Sequence, residues 1–429
     1  MHSATLLAKL IQGKSILQLI NPKKPGDTNG FYQVGDRRTY LKTELMDWLH
    51  HMPSDWHWNF NDEFFSQFDW KKEPSEDINE LYRQRAMEIR KAHDYVILYY
   101  SGGHDSSQAL YAFLENNIHI DEICIYYSGY DSITNQYKEL RGLTQKKVAW
   151  LQKKYPNLKV RWIDYGDMFN GWTDIFKRHG FKDNMFDMFG SLLSVNRLIA
   201  DEFYMNVPDW TRLLEKGKRI GFVWGSDKPM VRYFNDRWIF NFHDAMAQGK
   251  QTPMRQVIDD GTIGTYENFY WSPTDAGQRI LRKQCHLLAH AFNKQAKEDF
   301  SQIPGAKPFK PGYGWEIDTM SFAFVHAIYP RLFRYGEVYF TEKNAKYIFG
   351  NRDQWFFESN NDHAAVHKDM WTGLNSGLYS HYNDWMNDKN IGIENGLKNC
   401  ISQDYVFLEN TKQVEQVKNT SSLHSINYI

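Results

Sequence analysis

Between Asp94 and Pro229 the chain repeats one unit: a short apolar run, a turn, then a stretch of helical period. The runs are YVILYY (95–100), EICIYY (122–127), KVRWID (159–164) and RIGFVWG (219–225). SSQALYAFLENN, NQYKELRGLTQKKVAWLQKKY and SLLSVNRLIADEFY supply helices between them. Strands separated by whole helices pair in parallel through crossovers, which predicts an α/β fold with a doubly wound parallel sheet. Ligands of such sheets bind beyond the carboxyl ends of the strands, here the residues after Tyr100, Tyr127 and Trp224.

The rhythm divides the chain of 429 residues into three parts. Residues 1–92 form a mixed segment. It holds a hairpin signal in NPKKPGDTNGFYQVGDRRTYL and an amphipathic helix in EDINELYRQRAMEIRKAH. Residues 93–230 carry the alternating unit, and residues 231–429 read as mostly helical, with an edge hairpin at RYFNDRWIFNF and a clear helix in SPTDAGQRILRKQCHLLAHAFNKQ.

The first turn of the alternating unit is chemically distinctive. YVILYY runs into Ser101-Gly102-Gly103-His104-Asp105-Ser106-Ser107 and then into a helix. Glycines let a backbone approach an anion closely and turn its N–H groups toward it. The helix start adds free N–H donors and the positive end of a dipole. Ser101, Ser106 and Ser107 offer hydroxyls. A carboxylate belongs beside an anion only when a cation comes too, and Mg2+ on a polyphosphate meets that condition. Neither GxxxxGK[ST] nor GxGxxG is present at this turn, which excludes the two commonest phosphate loops here.

The Ser-Gly-Gly-x-Asp-Ser pattern resembles the pyrophosphate loop of the N-type ATP pyrophosphatase (PP-loop) superfamily, and SGGHDSS is most similar to its asparagine-synthetase branch. The resemblance covers roughly Asp94 to Pro229 and implies an adenine nucleotide alpha-hydrolase-like fold. It also implies ATP and Mg2+ as cofactors; scattered cysteines and the lack of a long apolar run predict a soluble cytoplasmic protein. Ser101, Gly102, Gly103, Asp105, Ser106 and Ser107 would hold the nucleotide's phosphates, and Tyr127 and Ser128 would flank adenine. Gly225 lies in VWGSDKP at the end of the fourth strand, which the strand-end rule turns to the same crevice as Ser101; there Asp227 would share the metal with Asp105 and Lys228 would neutralise phosphate charge. Lys283, on the helix after FYWSPTD, would face the acyl substrate; that segment is similar to lone members of the superfamily carried by bacteriophages.

The implied reaction adenylates a carbonyl or carboxylate oxygen, releases pyrophosphate, and lets ammonia or an amine displace AMP. The partners would be a small-molecule or peptide acyl substrate and an amine acceptor. Position 2 is His2, not the cysteine of a glutaminase, so the ligase would act without one. Two other readings stay open: a PP-loop sulfurtransferase or reductase, and an ATP-binding sensor without turnover.

Composition bounds these choices. Cys124, Cys285 and Cys400 are scattered, which argues against a disulfide framework or a four-thiolate zinc site and for a reducing compartment. Net charge is −1, which argues against a broad nucleic-acid surface. No run of about 18 apolar residues predicts a membrane span. Lys146, Lys147, Lys153 and Lys154 read as a solvated helix face, and the pairs His286/His290 and His363/His367 lack an evident third metal ligand.

Overall fold

The computed structural model describes residues 31–39, 56–127, 144–164, 207–225, 228–229, 231–242, 264–296, 306–308, 315–317, 322–331 and 402–409. Its first elements are β1 (Phe31–Val34), β2 (Arg37–Thr39), β3 (Trp56–Asn59), α1 (Asp62–Phe65) and α2 (Ile78–Ala92). The central stretch holds β4 (Tyr95–Tyr99), α3 (His104–Leu114), β5 (Glu122–Tyr127), α4 (Gln145–Lys154), β6 (Lys159–Asp164), α5 (Pro208–Glu215) and β7 (Ile220–Trp224). Then come β8 (Val231–Phe234), β9 (Arg237–Phe240), β10 (Gly264–Asn268), α6 (Asp275–Ala296), β11 (Ala306–Pro308), β12 (Trp315–Ile317), α7 (Phe322–Ile328) and β13 (Tyr405–Glu409).

The α/β expectation is met by a five-stranded sheet in the order β10-β7-β4-β5-β6, parallel throughout. β4 is apolar along its length because both of its faces are covered, as in parallel sheets generally. Val96 and Leu98 point into one core with α2, α3, α4 and α6; Ile97 and Tyr99 point into another with Val207 and Trp210 beside and on α5. The four strands foreseen from apolar runs are β4, β5, β6 and β7. The fifth, β10, comes from beyond the boundary drawn at 230: GTYEN has no apolar run to announce a strand. Nor did the sequence reading include α5, a short helix opened by Pro208 at its first position, where a missing N–H costs nothing.

Residues 231–429 are expected to be mostly helical, and most of them lie outside the described residues. Among the described residues they contribute six strands, β8 to β13, beside α6 and α7. Five of these build a second, antiparallel sheet in the order β11-β12-β8-β9-β13. β8 and β9 are the foreseen hairpin, and its turn residues Asn235 and Asp236 both have positive φ (49° and 58°), the geometry of a type I′ turn. The hairpin is not at an edge, however, since β12 and β13 flank it. Strands so short show little period, and their partners lie far off in the chain, so sequence alone does not reveal them.

The N-terminal hairpin signal corresponds to β1 and β2, which with β3 make a third sheet. α2 starts at Asp77, whose carboxylate accepts from Asn79 N–H at 2.8 Å, a conventional cap. Its buried residues Ile78, Leu81, Tyr82, Ala86 and Ile89 recur at helical spacing and join the core of the parallel sheet. Arg85 lies on the same buried face and bonds to Glu267 at 2.7 Å and to the carbonyl of Asn268 at 2.9 Å, tying α2 to β10. Tyr32, Trp58, Phe65 and Trp70 belong to that same core, so the expected division at residue 92 does not separate two cores.

Candidate functional site: the turn after the central strand

Numbered along the chain, the parallel strands lie in the order 5-4-1-2-3. After β4 the chain moves to one side of it, and β7 returns to the other. The switch therefore falls between β4 and β7, at whose carboxyl ends open α/β sheets bind ligands. The residues leaving those two strands are Tyr100 onward and Gly225 onward.

Tyr100 extends the ladder once more, donating its N–H to the Cys124 carbonyl at 2.9 Å. Gly102 then takes a left-handed φ of +77°, and Gly103 is the extended residue before α3. Within the turn the Ser101 hydroxyl accepts from Gly103 N–H at 3.2 Å and lies 3.1 Å from the Ser106 hydroxyl. Ser107 is buried, its hydroxyl 3.2 Å from that of Tyr100. Gly225 is required by a close approach: a Cβ there would lie 2.9 Å from both the Asp105 carbonyl oxygen and the Ser106 Cα. The exit of β7 thus rests on the first turn of α3, which brings Lys228 to it.

Lys228, itself buried, donates to both carboxylate oxygens of Asp105 at 2.8 Å. The Tyr329 hydroxyl donates to Asp105 Oδ1 at 2.6 Å, and the Tyr270 hydroxyl to the Asp105 backbone carbonyl at 2.7 Å. Burial would raise the Asp105 pKa, but the Lys228 ammonium outweighs it, aided by Tyr329, and holds the carboxyl below its ordinary value. Burial, followed by the charge of Asp105, pushes the Tyr329 phenol well up, so it stays a donor. The result is a fixed, ionised carboxylate in the first turn of α3 with a cation beside it.

The second strand end and the loop's flank are less alike. Tyr127 closes β5, next to β4; Ser128 and Asp227 lie outside the described residues. From the α4 side, the Thr144 hydroxyl donates to the Ser101 carbonyl at 2.8 Å and Lys147 Nζ to the Gly102 carbonyl at 2.9 Å. Lys147 was read as part of a solvated face and is in fact buried: it lies on the α4 side that carries Val148 and Leu151 inward, and its ammonium reaches the loop. Helical spacing alone does not say which lysine of a lysine-rich turn faces in.

Lys283 is placed elsewhere. Its ammonium bonds to Glu73 at 2.6 Å and to the Pro74 carbonyl at 3.0 Å. It belongs to a column on α6 that grips residues 69–76: Arg279 on Glu76, Arg282 on the Asp69 carbonyl, and His286 on the Trp70 carbonyl. His290 meets Glu73 at 3.0 Å, so Glu73 is the third group near the histidine pair that the spacing did not show. His363 and His367 lie outside the described residues. Tyr270 and Tyr329 carried no signal in the sequence: one sits in an aromatic run, the other before a lone proline.

Compared with protein-family models, with curated proteins and with solved structures, the chain matches none.

Proposed function

We propose that this chain binds ATP with Mg2+ at the turn after β4 and cleaves it to AMP and pyrophosphate. It would adenylate an acyl oxygen for attack by ammonia or an amine, as in an asparagine-synthetase-like ligase. The observation that carries the reading is the Lys228–Asp105 pair. It sits on a Ser-Gly-Gly-x-Asp-Ser turn at the switch point of a parallel sheet with the order 5-4-1-2-3. That order suits the doubly wound adenine nucleotide alpha-hydrolase-like fold which the motif implies.

The donors suit a polyphosphate. Gly102 and the start of α3 offer backbone N–H groups, and Ser101 and Ser106 offer hydroxyls, that of Ser101 held by the Gly103 N–H. Mg2+ is ordinarily held by one or two carboxylates together with substrate phosphate oxygens. Asp105 fits that part: Oδ1 accepts from Lys228 and Tyr329, whereas Oδ2 accepts from Lys228 alone among the described residues. The ion would neutralise charge on the departing pyrophosphate. Lys228 keeps Asp105 ionised and stands beside it as a second cation for the phosphates.

The sulfur-transfer alternative gains nothing from the described cysteines. Cys124 and Cys285 are buried, and burial pushes both thiols well up, away from the reactive thiolate. A non-catalytic sensor has one observation in its favour: the Asp105 carboxylate is already well satisfied by protein donors.

Incubation with Mg-ATP and ammonia or amine acceptors separates these readings. AMP and pyrophosphate, lost in Asp105→Ala, support the ligase. ADP as product, or no detectable ATP affinity by calorimetry, overturns it, and binding without turnover selects the sensor.

A further inference from the structure

The loop's flank carries a consequence for how its N–H groups are aimed. In a trans peptide the C=O and N–H point in opposite directions. The Ser101 carbonyl is drawn toward α4 by the Thr144 hydroxyl at 2.8 Å, which turns the Gly102 N–H away from α4. The Gly102 carbonyl is drawn the same way by Lys147 Nζ at 2.9 Å, which turns the Gly103 N–H away as well, toward the Ser101 hydroxyl at 3.2 Å. Both carbonyl oxygens would otherwise repel an anion at the loop.

The fit is close enough to exclude a side chain. A Cβ on Gly102 would lie 2.9 Å from Thr144 Oγ1 and 3.2 Å from Thr144 Cα, on top of the strain of its positive φ. Thr144 and Lys147 are both buried.

We infer that Thr144 and Lys147 are the positioning pair of the phosphate loop, holding two peptide planes so that both carbonyls turn from a polyphosphate, the Gly102 amide faces it, and the Gly103 amide fixes the Ser101 hydroxyl beside it. Lys147 would also bring a buried ammonium to within one peptide of that polyphosphate. Burial lowers its pKa to about 8, and an arriving phosphate would favour its charged form. The inference rests on the nucleotide reading given above and adds to it the residues that set phosphate affinity.

The test is calorimetry on the full chain with Mg-ATP, inorganic pyrophosphate with Mg2+, and AMP. Variants are Lys147→Met, Lys147→Arg and Thr144→Val, with Lys154→Met as an exposed control. Lys147→Met should weaken pyrophosphate and Mg-ATP by at least about tenfold, the scale of one charge-assisted hydrogen bond, with AMP nearly unchanged. Lys147→Arg should recover part of the loss, Thr144→Val should weaken the same two ligands, and Lys154→Met should behave as wild type. Unaltered AMP affinity shows that a variant is folded. Equal pyrophosphate affinity in wild type and Lys147→Met, or equal losses for AMP and pyrophosphate, overturns the inference while the nucleotide reading survives. If the wild-type chain binds neither Mg-ATP nor pyrophosphate, the nucleotide reading falls and this inference with it.

Discussion

Lys228 Nζ stands 2.8 Å from each carboxylate oxygen of Asp105, joining the exit of β7 to the first turn of α3. The lysine side chain is only 2% exposed and the aspartate 19%, so neither charge is fully solvated. Such a pair adds little net stability when intact, yet is costly to break from one side.

Lys228→Met is therefore expected to destabilise the fold by about 3 kcal/mol, because it strands a largely buried carboxylate. Asp105→Asn combined with Lys228→Met should recover most of that loss. The pH dependence has a definite sign. Asp105 has a lowered pKa in the folded chain, so its contribution is full above the ordinary carboxylate value and is lost as pH falls through the folded one. Urea titrations at neutral and acid pH should show the Lys228→Met penalty shrinking toward acid. A penalty independent of pH would mean the two side chains do not meet in solution.

Tyr329→Phe keeps the ring but removes the donor 2.6 Å from Asp105 Oδ1. The expected cost is about 1.5–3 kcal/mol, the range for a hydrogen bond to a charged group. Tyr270→Phe, which loses a bond to a neutral backbone carbonyl at 2.7 Å, should cost less, about 1 kcal/mol. Thermal melts of the two variants rank them; the reverse order would contradict the charge assignment at Asp105.

Gly225→Ala is expected to be damaging despite its size. Its methyl would lie 2.9 Å from backbone atoms of Asp105 and Ser106, so β7 and α3 must part, at about 1–3 kcal/mol. Because that movement spoils the loop, ATP affinity should fall along with stability. Gly217→Asn is the control. Gly217 has φ +76° just past the end of α5, nothing lies within 4 Å of its Cβ position, and asparagine tolerates that conformation. Its affinity should match wild type, and its loss of stability, from the positive φ alone, should be smaller than that of Gly225→Ala.

Asp62 offers a separate stability switch. Burial raises its pKa to about 6 against weaker lowering by the Tyr405 hydroxyl and the Phe60 N–H. The folded chain then binds a proton the unfolded chain does not, between about pH 4 and 6. Stability falls as pH rises through that window, and above it Asp62 is a partly buried charge. Asp62→Asn keeps an acceptor without the charge and should stabilise the chain by about 1–3 kcal/mol at pH 7 and by little at pH 4. Equal effects at the two pH values would show that Asp62 titrates normally.

Some features are legible one segment at a time. YVILYY has to be a strand buried on both faces; Gly102 and Gly103 with Asp105 have to make a sharp turn into a helix; Ile78 to Ile89 has to show one apolar stripe. Each depends on period or turn chemistry within about a dozen residues, which the linear order contains.

The partners of Asp105 are of another kind. Lys228 comes from 123 residues away and Tyr329 from 224, and nothing local distinguishes Tyr329 from the other tyrosines of the chain. Lys147 looks like its exposed neighbours until α4 is set against the loop. Lys283, plausible on its helix, is drawn to Glu73. The short strands β12 and β13 likewise pair with β8 and β9 from far off in the chain. The residues themselves determined the parallel unit and the chemistry of its first turn. The order of strands and the packing of α3, α4 and β7 decided which side chains meet there, since packing selects partners by space and not by sequence distance.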